Sequence, residues 1–86
     1  AAYLTHPRPG EPAIGNRRGE QGKVVLRGLI GTDGLPQKVE INKSSGYDRL
    51  DRQAQEAVMR WRFVPGKRNG VPEAMWSLVP INFVLE

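Results

Sequence analysis

The strongest periodic signal lies between Ser44 and Pro65, where Leu50, Ala54, Ala57, Val58 and Trp61 recur at three- and four-residue steps. Such spacing lines one stripe of an α-helix. Asp48 is the expected N-cap, and Asp51 stands where a capping-box acid would. Arg49, Arg52, Gln55, Glu56 and Arg60 fall mostly on the solvent side, and the two alanines let the helix lie close to what it covers. From Trp61 to Phe63 the period changes from helical to alternating, so helix gives way to extended chain.

Three other stretches alternate. Lys23 to Thr32 places Val24, Leu26, Gly28 and Ile30 on one side and Lys23, Val25, Arg27 and Leu29 on the other. Asp33-Gly34 follows, a strong hairpin pair because glycine accepts positive φ. Leu35 to Lys43 returns with Gln37, Val39 and Ile41 facing one way and Lys38, Glu40 and Asn42 the other, until Ser44-Ser45-Gly46 ends it. Glu73 to Glu86 puts Met75, Ser77, Val79, Ile81, Phe83 and Leu85 on one face, with Trp76, Leu78, Pro80, Asn82 and Val84 on its reverse. Between helix and third strand, Gly66 to Pro72 reads as a mobile basic loop.

Proline placement orders these strands. Proline has no N–H to give a ladder and avoids central positions. Pro36 lies in the second strand and Pro80 in the third; the first has none. The expectation is an α+β fold: a three-stranded antiparallel sheet in the order 2-1-3, with one main helix and one short helix, over Ala13 to Glu20, packed on one face. Hydrogen-bonding direction alternates along a strand as side chains do. With Pro80 turned outward, Trp76, Leu78, Asn82 and Val84 offer free N–H groups along the edge and Pro80 a carbonyl. A long apolar edge is a liability unless it is used.

Ala1 to Pro12 carries Pro7, Pro9, Pro12 and Gly10 and reads as an extended, proline-rich lead-in, with Tyr3 and Leu4 able to dock. The domain proper is expected over residues 13–86, and the abrupt start suggests a piece of a longer polypeptide. At 86 residues the chain is one domain with a thin core, which argues against a deep catalytic cavity.

Charge permits a different partner. The net charge of +4 and a pI near 10.0 suit a nucleic-acid or anionic-surface module using Lys67, Arg68 and the helix arginines. Against this, the 13 basic residues are spread among 9 acids rather than gathered on a face. Reacting groups are scarce. With one histidine, His6, and no cysteine, a zinc site is not expected. Ser44 and Ser45 have no base arranged beside them and read as turn residues; Asp48 and Asp51 read as helix-start residues. Gly66 to Gly70 lacks the Gly-Lys-Ser/Thr ending of a phosphate loop. Trp61 reads as core, and Trp76, on the outer face, is the aromatic with a candidate binding role. No enzyme activity, metal or cofactor is expected.

The residues carry a resemblance. Gly22-x-Val24-x-Leu26, Asp33-Gly34, Val39-x-Ile41, Ser44-Ser45-Gly46, Leu50-Asp51, Ala54, Ala57-Val58, Trp61-Arg62-Phe63-x-Pro65 and Val79-Pro80-Ile81-x-Phe83-x-Leu85 together look like the C-terminal domain of TonB-type energy transducers. The resemblance runs from about Pro7 to the end. Its most specific part is the spaced set from Ser44 to Pro65. Glu11-Pro12 departs from the Tyr-Pro usual at the end of the family's proline-rich entry segment. The resemblance implies a non-catalytic periplasmic domain of a protein anchored in the bacterial inner membrane. It implies outer-membrane receptors as partners, gripped through a short extended peptide (the TonB box), and inner-membrane partners ExbB and ExbD acting through an N-terminal region. Candidate partner-binding residues are then Trp76, Leu78, Pro80, Asn82 and Val84 on the third strand, with Pro9, Glu11 and Pro12 in the lead-in. The same strand could pair with a second copy to make a homodimer.

Overall fold

The computed structural model describes the backbone of residues 3–5 and the chain from 19 to 84. Three strands form the main sheet: β2 (Gly22–Ile30), β3 (Pro36–Lys43) and β7 (Met75–Phe83), in the order β3-β2-β7 and antiparallel throughout. This is the order that the placement of Pro36 and Pro80 predicts. One helix, α1 (Asp48–Met59), packs across β3 and β2 on one face. β1 (Tyr3–Thr5) pairs with β4 (Arg62–Phe63), and β5 (Lys67–Arg68) pairs with β6 (Val71–Pro72). Most of the short helix expected over Ala13 to Glu20 lies outside the described residues; Gly19 and Glu20, its last two, are not helical.

The core is the inner side of each alternating pattern. Val24, Leu26 and Ile30 of β2, Val39 of β3, Val79 and Phe83 of β7, Leu50, Ala54 and Val58 of α1, and Phe63 of β4 form one buried cluster. Leu50, Val58, Val24, Leu26, Val79 and Phe63 are all fully closed to solvent. Burying a side chain of this size contributes about 1.5–3 kcal/mol. The cluster is therefore what holds helix to sheet. Trp61 is not its centre, contrary to the sequence reading. It lies half-buried against the cluster, its ring 6.2 Å from that of Phe63, and Phe63 takes the deep position. Alternation decides this: Trp61 leaves the helix where its stripe is turning away, and the short strand that follows aims Phe63 inward.

Two turns differ from expectation in instructive ways. Asp33-Gly34 belongs to a longer connection in which Gly34 alone takes positive φ, +83°, while its N–H donates to Gly31 O at 2.9 Å and Leu35 N–H to Asp33 Oδ1 at 3.0 Å. Gly34 is fixed from outside as well. Phe63 N–H donates to its carbonyl at 2.9 Å, and a Cβ at Gly34 would collide with Phe63 O. The hairpin tip is thus stitched to the helix exit. The segment expected to be a mobile basic loop is instead a tight hairpin. Asn69 and Gly70 both have positive φ (51° and 79°), the signature of the two-residue turn that suits strand twist. Arg68 Nε lies 2.6 Å from Glu73 Oε2, and Glu73 N–H donates to Gly66 O at 2.9 Å. The Asn-Gly pair was the signal for it.

The helix start also departs from the capping box. Tyr47 is the N-cap and makes no side-chain cap bond; Asp48 is the first helical residue. Asp51 turns back instead to the chain before the helix. Its carboxylate accepts Ser44 Oγ–H, Ser45 Oγ–H at 2.7 Å and Ser45 N–H at 2.9 Å. Burial pushes the carboxyl up, but these bonds outweigh it and hold Asp51 below its ordinary 3.8. The two serines are structural donors that clamp the end of β3 onto α1.

Candidate functional site: the β7 edge and the outer sheet face

Strand β7 pairs with β2 along its whole length, from Met75 opposite Ile30 to Phe83 opposite Gly22. Among the described residues no strand pairs with its other side. Side-chain parity follows the sequence reading: Val79 and Phe83 are buried, whereas Trp76, Leu78, Pro80 and Asn82 are exposed on the reverse, as is Val84 just past the strand. Pro80 stands opposite Val25. Between Met75 and Val84 the edge carries no charged residue. Pro9, Glu11 and Pro12, the other expected binding residues, lie outside the described residues.

Among the described residues no element covers the outer face behind this edge, since α1 packs on the opposite side. Its apolar members are Trp76, 43% exposed, and Leu78, 57% exposed, beside Val25 and Leu29. Arg27 also belongs to this face, although its sequence position did not mark it as a binding residue. Its guanidinium carbon lies 4.1 Å from the centroid of the Trp76 ring, and its Nε lies 3.2 Å from Glu40 Oε1. Since Arg27 faces Glu40 on one neighbour and Leu78 on the other, its side chain reaches diagonally to Trp76. A shallow depression lined by Arg27, Asn42, Trp76, Ser77 and Leu78 results. The signal was present in the alternation, which put Arg27 on the outer face, but not the diagonal partner.

Among the described residues no group of His, Cys, Asp or Glu is placed to hold a metal ion. No described helix is long and apolar enough to cross a membrane. What fold and site define is a small α+β domain that presents a strand edge and an apolar strip, rather than a set of reacting groups.

Comparison with known proteins gives that class its family. Residues 9–85 match the family described as Gram-negative bacterial TonB protein C-terminal, and the chain belongs to it. It is 46% identical over 85 residues to Protein tonB2 of Pseudomonas aeruginosa, covering 99% of this chain and 32% of that protein. To Protein TonB of Vibrio cholerae it is 37% identical over 79 residues, covering 92% and 32%. To Protein TonB of Xanthomonas campestris it is 36% identical over 77 residues, covering 90% and 34%. The chain therefore spans about a third of the length of these relatives.

Proposed function

We propose that this is the receptor-binding domain of a TonB-like energy transducer, and that it grips an extended peptide of an outer-membrane transporter by strand addition along β7. The observation that carries this reading is the uncharged edge of β7, unpaired among the described residues, with Pro80 in mid-strand. In an antiparallel ladder, residues alternate between pairs that exchange hydrogen bonds and pairs that do not. Proline fits only the second kind, so Trp76, Leu78 and Asn82, at the same parity, would turn their N–H groups away from β2. An added strand takes affinity from those main-chain groups and specificity from alternate side chains. A few such bonds at about 0.5–1.5 kcal/mol each, opposed by the ordering of the peptide, put affinity near the micromolar range. That weakness suits a coupling that must release its receptor. In the full-length protein the domain would be periplasmic, and an inner-membrane anchor with ExbB and ExbD would supply the force. Pairing of two copies through β7 would compete for the same edge.

The test is titration of the labelled domain with extended receptor peptides, following backbone amides by NMR. The expected result is shifts concentrated from Trp76 to Val84, with weak salt dependence. Replacing Lys67 and Arg68 by alanine should change affinity by no more than about 0.5 kcal/mol, since exposed charges contribute little. A steep fall of affinity with salt, near one power per phosphate contact, would move the site to the basic hairpin and an anionic partner.

A further inference from the structure

We propose that Arg27 is a positioning residue for peptide selectivity: it holds Trp76 as a fixed wall beside the β7 edge, so that an added strand is read for apolar and against basic side chains. This rests on strand addition at β7. Three observations meet here. Arg27 is drawn between two partners, the Glu40 carboxylate at 3.2 Å and the Trp76 ring at 4.1 Å, and so ties β3 to β7 across the outer face. Trp76 and Leu78 remain 43% and 57% exposed, so an apolar surface is left for a newcomer although one cation is already over the indole. No carboxylate belongs to β7 itself, and Glu40 is the carboxylate engaged by Arg27.

A strand laid beside β7 alternates its side chains, and those on the outer face land next to Trp76 and Leu78. An apolar or aromatic side chain there would bury against the indole and the leucine. A lysine or arginine would ordinarily be attracted to an indole face. Here it meets the Arg27 guanidinium on the same ring; Glu40 pairs with that guanidinium from the β3 side, away from the β7 edge, and like charges across an interface disfavour the pairing. The edge of β7 thus selects by backbone for extended chain, and the Arg27–Trp76 pair selects by side chain among extended chains.

The experiment is a lysine scan along one peptide that docks on the domain, with dissociation constants and amide shifts measured for the parent and for Arg27→Gln. In the parent, lysine at alternate peptide positions near Trp76 should weaken binding by roughly fivefold or more, while the intervening positions tolerate it. Arg27→Gln should reduce that penalty to about twofold, leave the melting temperature nearly unchanged, and lower the heteronuclear NOE of the Trp76 indole N–H. Equal lysine penalties in parent and variant, or an indole equally rigid in both, would overturn the role of Arg27. The β7 amide shifts separate the two readings: if they appear, strand addition stands whatever the scan shows, and if no peptide produces them, both fall.

Discussion

The sheet ends in two edges of unlike character. At β3 the sequence Pro36 to Lys43 alternates apolar positions with Lys38, Glu40 and Asn42, and the strand begins on a proline. Helix α1 lies over it, Gln55 Nε2 donates to Val39 O at 2.7 Å, and Asp51 ties its far end to the helix. Charge, proline and cover are the usual means by which an edge is kept from pairing. β7 has none of the charge, and its one proline sits in the middle, where it removes a donor without breaking the strand. Two edges of one sheet have therefore been treated oppositely, and this contrast is what supports the binding surface proposed on β7.

The contrast can be broken from the covered side first. Phe63→Ala should destabilise the domain by about 3–5 kcal/mol, because Phe63 fills the core where the helix exit meets the β2–β3 turn. Urea unfolding measures it, and for so small a domain the folded state is expected to be largely lost. Trp61→Ala, at a half-buried position, should cost less; the reverse order would show that the helix is seated through Trp61 after all.

Backbone chemistry sharpens the contrast within β7. Methylating the nitrogen of Leu78 or Asn82 by semisynthesis should weaken peptide binding several-fold with little change in melting temperature. The same change at Val79 or Ile81 should cost the fold about 1–3 kcal/mol, the penalty of losing a ladder bond. Were the two parities to exchange behaviour, β7 would be turned toward β2 by the side proposed as free.

The clamp on β3 has a pH signature. The Asp51 carboxyl is held below its ordinary 3.8, so the folded state takes up its proton less readily than the unfolded chain does. Its contribution is fully present above about pH 4–5 and is lost as pH falls through the lower, folded value. Asp51→Asn should cost about 1–2 kcal/mol at neutral pH and flatten the acid limb of the stability curve. An acid limb of unchanged slope in the variant would assign acid sensitivity to other carboxylates. The smallest effect is expected at Gln55→Leu, about 0.5–1.5 kcal/mol through loss of the bond to Val39 O. Peptide affinity at β7 should not move; a drop there would mean the two edges are coupled.

Most of the architecture was legible in the sequence because periodicity reports burial directly. The helix boundaries near Asp48, the inward faces of Val24-Leu26-Ile30 and Val79-Phe83, and the central place of β2 all follow from period and from where prolines are absent. What the chain alone did not reveal were contacts between residues far apart in sequence or facing each other diagonally. Asp51 reads locally as a capping acid, and only the approach of the β3 end to the helix turns it toward Ser44 and Ser45. Trp61 and Phe63 both suit a core by type; the exit angle of the helix decides which is buried. Arg27 was placed on the outer face by alternation, but its hold on Trp76 depends on the register between β2 and β7, which a single strand's pattern does not contain. Local order is set by interactions a few residues apart, which the sequence records in its spacing. Pairings across the sheet are set by register and packing, which exist only once the chain has folded.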